Sequence, residues 1–265
     1  QMMIDAGINA RAIAGQWAHN YPDQPDRHSE LGSGYGLEAY PNMSRMDWGV
    51  ELYQWFNYYL KDIGEEPEPM VQIQTNDGKW HVEDTWPPAD MIWDMQEIGT
   101  SWSVTGTTVN GQGSSVTLVS EELTGLTHIS GLPTLHLDVT TQACQGGQIF
   151  ATLYDNENNL RLGHATMDVR YRDGGYDAKP TAPFSSYTML MEFNPLDVVV
   201  PAGHTLRIEL TETGEDYLPS PCASNPLGGL SVDGGMIGLP IIDRPNSHES
   251  WFLAPPWWDQ QPIPE

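Results

Sequence analysis

The sequence predicts a mainly β fold, an antiparallel jelly-roll sandwich preceded by a short α/β piece. Three observations predict it. From about Thr100 onward, apolar residues recur with a period of two and no helical stretch intervenes. Twenty-six Gly and 21 Pro in 265 residues supply many turns. Before Gly64 the apolar period is helical and follows a short apolar run fit for a parallel strand.

Taken in order, Met2 to Ala6 reads as the end of a helix closed by Gly7. Ala10 to Gly15 suits a buried parallel strand. His19 to Pro41 is a polar loop. Trp48, Leu52, Trp55, Phe56, Tyr59, Leu60 and Ile63 then fall on one helical face, with Ser44 and Asp47 as a capping-box-like start and Gly64 as the stop. Helix, buried strand, helix is a piece of an α/β domain. Glu65-Glu-Pro-Glu-Pro69 marks a junction. Met70–Thr75 and Lys79–Val82 flank Asn76-Asp-Gly78, a hairpin signature, and Trp86-Pro-Pro88 changes direction.

In the sandwich, Leu135, Leu137 and Val139 alternate with His136, Asp138 and Thr140. Ile149, Ala151 and Leu153 alternate with Phe150, Thr152 and Tyr154; Tyr187, Met189, Met191 and Phe193 with Thr188, Leu190 and Glu192; and Leu206, Ile208 and Leu210 with Thr205, Arg207 and Glu209. Such strands are half-buried and antiparallel. Turn clusters separate them, among them Asp155-Asn-Glu-Asn-Asn159 and Pro201-Ala-Gly203. The expected domains are 1–66 (α/β remnant), 67–99 (connecting hairpin and linker), 100–254 (sandwich) and 255–265 (Pro-rich tail).

Thirty-six Asp and Glu against 11 Lys and Arg give a net charge of −25. Such a surface repels nucleic acid and anionic membrane, and neither is expected as a partner. It fits a saline environment or an ordinary acidic secreted protein. No run of eighteen apolar residues is present to span a membrane. Cys144 and Cys222 lie in polar loops; they pair as a disulfide if the protein is extracellular, or remain two free thiols. Two isolated sulfurs without a paired CxxC, and no H-E-x-x-H pattern, predict no metal, and no cofactor is expected.

The candidate catalytic residue is His19, in Arg11-Ala-Ile-Ala-Gly-Gln-Trp-Ala-His19. Open α/β sheets carry their sites at the carboxyl ends of strands, and histidine titrates nearest neutral pH. Trp17, two residues before His19, and His28, in the same loop as His19, are candidate substrate-binding residues. No partner for His19 is evident. A G-x-S-x-G elbow is absent, Gly32-Ser-Gly-Tyr-Gly36 lacks a preceding strand, and Asp5 is poorly placed as the orienting acid. Triads of this type run Ser, then Asp or Glu, then His. With only eighteen residues before His19, the chain reads as the C-terminal part of an enzyme. His136 and His164 are expected on sheet surfaces and His204 in a structural hydrogen bond. Asp155–Asn159 resembles a calcium loop only loosely and reads as a hairpin, since Leu160 stands where the glycine belongs.

Gly15-Gln-Trp-Ala-His19 resembles the G-P-W-x-H segment that carries the catalytic histidine in the X-prolyl dipeptidyl-peptidase, cocaine-esterase and α-amino-acid ester hydrolase group. Trp55-Phe-Asn-Tyr-Tyr-Leu-Lys61 is similar to that group's W-F-D-x-x-L-K-G helix. Pro69 to Pro88 resembles its connecting stretch. Ile129–Leu137, Ile149–Asp155 and Pro201–Ile208 resemble pieces of its C-terminal jelly roll. Gln16 replaces the usual proline, and Asp62-Ile-Gly64 departs from the helix end. The resemblance implies the last strand and helix of an α/β-hydrolase domain followed by a jelly roll. It also implies that His19 is the triad histidine of a serine hydrolase cleaving peptide or ester bonds, the sandwich walling the cleft. Its partners would be the N-terminal α/β-hydrolase half and a small peptide or ester substrate; homo-oligomer formation is left open. Without that half, which would hold Ser and Asp, the chain alone is expected to be inactive. The alternative is a non-catalytic β-sandwich binding or assembly module for carbohydrate or protein. An extracellular or cell-surface, saline location is expected.

Overall fold

The computed structural model describes residues 3, 6–15, 48–76, 80–144, 146–174, 176–214 and 217–243. The chain divides into two compact units: Gln1–Met91 with Asp197–Val199 and Ile242–Glu265, and Ile92–Leu196 with Val200–Ile241.

The first unit is built on a three-stranded sheet, β1 (Arg11–Ala14), β2 (Met70–Gln74) and β3 (Trp80–Glu83), in that order. β1 and β2 are parallel, and the helix α1 (Trp48–Lys61) lies between them in the chain. β2 and β3 pair antiparallel from Val71↔Glu83 to Gln74↔Trp80, as the Asn76-Asp-Gly78 signature predicts. The sheet therefore contains two strands beyond the one expected to end the α/β part.

Two features of this unit differ from expectation. β1 is half-exposed rather than buried, because among the described residues it lies at the edge of the sheet; β2, in the centre, is buried over four of its five residues. α1 stops at Lys61, before Gly64. Asp62 takes the left-handed turn (φ 53°), with its amide bonded to the Tyr58 carbonyl and that of Ile63 to the Asn57 carbonyl; aspartate is among the few side chains that tolerate this conformation. The apolar residues of α1 are not covered by the described residues: Leu52, Phe56, Tyr59 and Leu60 are exposed, and the buried residue of the helix is Asn57.

The remaining strands are β4 (Ile92–Glu97), β5 (Trp102–Thr105), β6 (Thr108–Val109), β7 (Val116–Ser120), β8 (Thr127–Gly131), β9 (Thr134–Thr141), β10 (Gln148–Asp155), β11 (Leu160–Asp168), β12 (Ser186–Glu192), β13 (Leu196–Val200), β14 (Leu206–Thr211) and β15 (Leu230–Ile242); they belong to the second unit except for Asp197–Val199 of β13 and Ile242 of β15, which belong to the first. One sheet has the order β11-β10-β14-β7-β5. The other has seven strands, β12-β9-β15-β8-β13 with β4 and β6 also paired to β15. The registered pairs are antiparallel. This is a β-sandwich, as the alternation predicts. Leu135, Leu137, Val139, Ile149, Ala151, Leu153, Met189, Met191, Leu206 and Leu210 are all fully buried, and their odd-even phase matches the sequence reading.

β10 departs from the half-buried pattern. Phe150 and Thr152, on its second face, are also buried. The ring of Phe150 is stacked by His164 at 5.5 Å and flanked by Tyr217 at 5.3 Å, so this sheet face carries a packed aromatic layer of its own. Cys144 and Cys222 form a disulfide with Cα atoms 5.9 Å apart, joining the β9–β10 loop to the segment before β15.

Candidate functional site

β1 ends at Ala14 and Gly15 follows it. His19, Trp17 and His28 belong to the segment after Gly15 and lie outside the described residues. The described geometry therefore gives the frame from which that segment departs. β1 and β2 run parallel in the register Arg11↔Met70 to Ala14↔Ile73, so the sequence leaves the sheet at the carboxyl end of a parallel strand, where α/β folds carry their chemistry.

Behind this frame, Arg11 ties strand to helix. Its guanidinium lies 2.9 Å from the Glu51 carboxylate on α1 and 3.3 Å from the Met70 sulfur on β2. A hollow of about 350 Å³ opens beside this pair, lined by Ile13, Trp48, Leu52, Trp55 and Phe56 as well. Its walls are apolar and its polar groups are already paired with each other.

A second polar arrangement in the first unit was not evident from the sequence reading. His81 Nδ1 lies 3.0 Å from Glu83 Oε1, and His81 Nε2 lies 2.8 Å from Asp197 Oδ2. All three side chains are buried. Burial alone pulls the imidazole pKa down, but the hydrogen bonds and charges of Asp197 and Glu83 outweigh it and raise it to about 9. His81 is thus an imidazolium at neutral pH, each ring nitrogen donating to a carboxylate. A general base needs a free ring nitrogen and a pKa near the working pH, and His81 has neither; the buried His128 brings a ring nitrogen within 4.8 Å of the same His81 and Asp197 atoms. Asn76 makes a similar tie, donating from Nδ2 to the Val199 carbonyl (3.1 Å) and accepting from the Val199 amide (2.8 Å). The signal in the sequence was His81-Val-Glu83, two polar residues of one strand face, and an aspartate inside the apolar run Leu196–Val200.

In the second unit His204 makes the structural bond expected of it. Its Nδ1 lies 2.8 and 3.0 Å from the two oxygens of Asp155, whose side chain is fully buried. Asn158 also donates to Asp155, and Glu157 accepts from the amide and hydroxyl of Thr205. Asp155, Glu157 and His204 bring donor atoms within 4.8 Å of one another, close enough for a cation. These bonds tie the β10–β11 turn, with Asn159 in the left-handed conformation (φ 51°), to the two residues before β14. His164 lies against Phe150 and Tyr217, 2.8 Å from Arg161 Nη2 by its Nδ1; burial and the Arg161 charge lower its pKa and keep it neutral.

Residues 94–228 match the X-Pro dipeptidyl-peptidase C-terminal non-catalytic domain. The chain is 20% identical to the Streptomyces avermitilis protein named "Putative Xaa-Pro dipeptidyl-peptidase", over 91% of this chain and 46% of that protein. A CocE/NonD family hydrolase from Staphylococcus aureus superposes with a TM-score of 0.56 at 12% identity, over 89% of this chain and 54% of the other. An α-amino acid ester hydrolase superposes with a TM-score of 0.59 at 13% identity, over 87% and 50%. At these identities the superpositions show the fold. The chain spans about half the length of each of these proteins.

Proposed function

The chain belongs to the X-Pro dipeptidyl-peptidase C-terminal non-catalytic domain family, and from that premise we propose that it is the C-terminal portion of a serine hydrolase cleaving peptide or ester bonds. In this reading His19 is the triad histidine. It takes a proton from a serine hydroxyl supplied by an N-terminal α/β-hydrolase region and returns it to the leaving group. Trp17 and His28 line the cleft beside it, and the sandwich walls one side. The observation that carries the reading is the parallel β1–β2 pair with α1 between them in the chain, which leads the sequence into Gly15-Gln-Trp-Ala-His19 at a strand's carboxyl end. The exposed apolar residues of α1 and the half-exposed β1 support it, because a parallel sheet is normally covered on both faces.

The chain alone lacks a nucleophile elbow and is expected to be inactive. The test compares the chain alone with a polypeptide extended by an upstream hydrolase region, assayed on p-nitroanilide and p-nitrophenyl ester substrates. Activity in the extended protein only supports the reading; robust activity in the chain alone overturns it. The second reading, a non-catalytic binding or assembly module, draws on the family's own description as non-catalytic. It predicts no acyl hydrolysis in either form. An extracellular, saline setting is supported by the Cys144–Cys222 bond and the −25 charge.

A further inference from the structure

We propose that the outer face of the seven-stranded sheet is a docking surface for a cationic polypeptide segment that presents apolar side chains. Register fixes which residues share this face. One row runs Leu190–His136–Met236–Glu97, the next Glu192–Thr134–Gly238–Met95, and a third pairs Pro240 with Trp93. Their chain neighbours Met189, Met191, Leu135, Leu137, Ile237 and Leu239 fill the core, so alternation turns Leu190, Met236, Met95 and Trp93 outward. These four are 41–45% exposed. Met95 and Trp93 meet over Gly238, where a Cβ would lie 3.0 Å from the Met95 sulfur and 3.3 Å from the Trp93 ring; Met236 stands two residues along β15 on the same face, and Leu190 stands in its row across His136.

Single exposed apolar residues need no explanation, but a joined patch with a polar rim marks an interaction surface. Methionine adapts to varied partners, and tryptophan anchors interfaces. Charge selects the occupant. Glu97 and Glu192 stand in the same rows, and Asp138 in the next one. β4, β6, β8, β9, β12, β13 and β15 contain no Lys or Arg at all, whereas the five-stranded sheet carries Arg161 and Arg207. A second copy of this chain, at −25, and any acidic partner are repelled. An apolar residue flanked by lysine or arginine finds both contact and attraction. This inference does not rest on the hydrolase reading.

The test uses the full chain and a short fluorescein-labelled peptide in which leucine and tryptophan are flanked by lysines, read by fluorescence anisotropy at low salt. Control peptides replace lysine by glutamate or leucine and tryptophan by serine. The lysine–leucine peptide is expected to bind, and both controls to bind more weakly by roughly ten-fold or more. Met95→Lys, Met236→Lys and Leu190→Lys, each checked for folding by circular dichroism, should each weaken binding roughly ten-fold. Ser103→Lys, the same charge change on an exposed residue of β5, should leave it unchanged. Equal losses in Ser103→Lys and the patch variants, or equal binding of the serine peptide, would mean attraction to net charge alone and would overturn the proposal. So would self-association abolished by Met236→Lys, or a need to delete 244–265 before the peptide binds; these would make a second copy or the chain's own tail the occupant.

Discussion

His81 Nε2 meets Asp197 Oδ2 at 2.8 Å although 116 residues separate them in the chain. The same ring also holds Glu83, so one imidazolium sits between two buried carboxylates. Removing the cation would leave two buried negative charges facing each other, and such uncompensated charge is among the most destabilising changes in a protein interior.

The pH dependence follows from the direction of the shift. The His81 pKa is raised in the folded protein, from 6.5 to about 9. Its contribution to stability is therefore fully present below pH 6.5 and is lost as pH rises through 9. A shift of this size corresponds to a contribution of order 3 kcal/mol at the acid end. Thermal melts from pH 6 to pH 10 should show His81→Gln less stable than the parent at pH 6, with the gap closing toward pH 10. A constant gap would contradict the assignment.

A similar relationship holds in the sandwich, where His204 caps the fully buried Asp155 carboxylate. His204→Ala is expected to cost about 2–3 kcal/mol, because it removes a charge-assisted donor from a buried acid. Adding Asp155→Asn in the same chain should recover part of that loss. Denaturant unfolding of the two single variants and the double variant measures the coupling; strict additivity would speak against it.

The disulfide closes a span of 78 residues. Loop-closure entropy gives about 4–5 kcal/mol for a span of this size, and native disulfides typically contribute about 2–5 kcal/mol. Cys144→Ser with Cys222→Ser should lower the unfolding midpoint in urea correspondingly. An unchanged midpoint would mean that the two loops are held by their packing alone.

Salt should raise the melting temperature. The net charge of −25 produces self-repulsion, and screening shortens its reach to about 8 Å at physiological ionic strength and to about 3 Å at 1 M. A melting temperature that is flat or falls from low to high sodium chloride would contradict a role for this charge in a saline setting.

The sandwich was legible in the sequence because period-two alternation reports burial directly. Leu135, Leu137 and Val139, and Leu206, Ile208 and Leu210, face inward as read. The Asn-Asp-Gly hairpin was legible for the same local reason. Three things were not legible. The parallel β1–β2 pairing joins residues 59 apart in the chain, which no local pattern encodes. The second buried face of β10 depends on Tyr217, from a distant loop. The His81–Glu83–Asp197 cluster needs β3 and the middle of β13 together; on its own, His81 looks like any polar residue in a short strand. His19, Trp17 and His28 were readable only as motif and resemblance, and they lie outside the described residues.

The proposal that His19 is the triad histidine is tested most directly by turnover of a polypeptide extended by an upstream α/β-hydrolase region, before and after His19→Ala. Loss of about 10⁴-fold or more in kcat is expected, with circular dichroism and the melting temperature unchanged. Retention of most activity in a folded His19→Ala protein would contradict the assignment of His19 as the catalytic base.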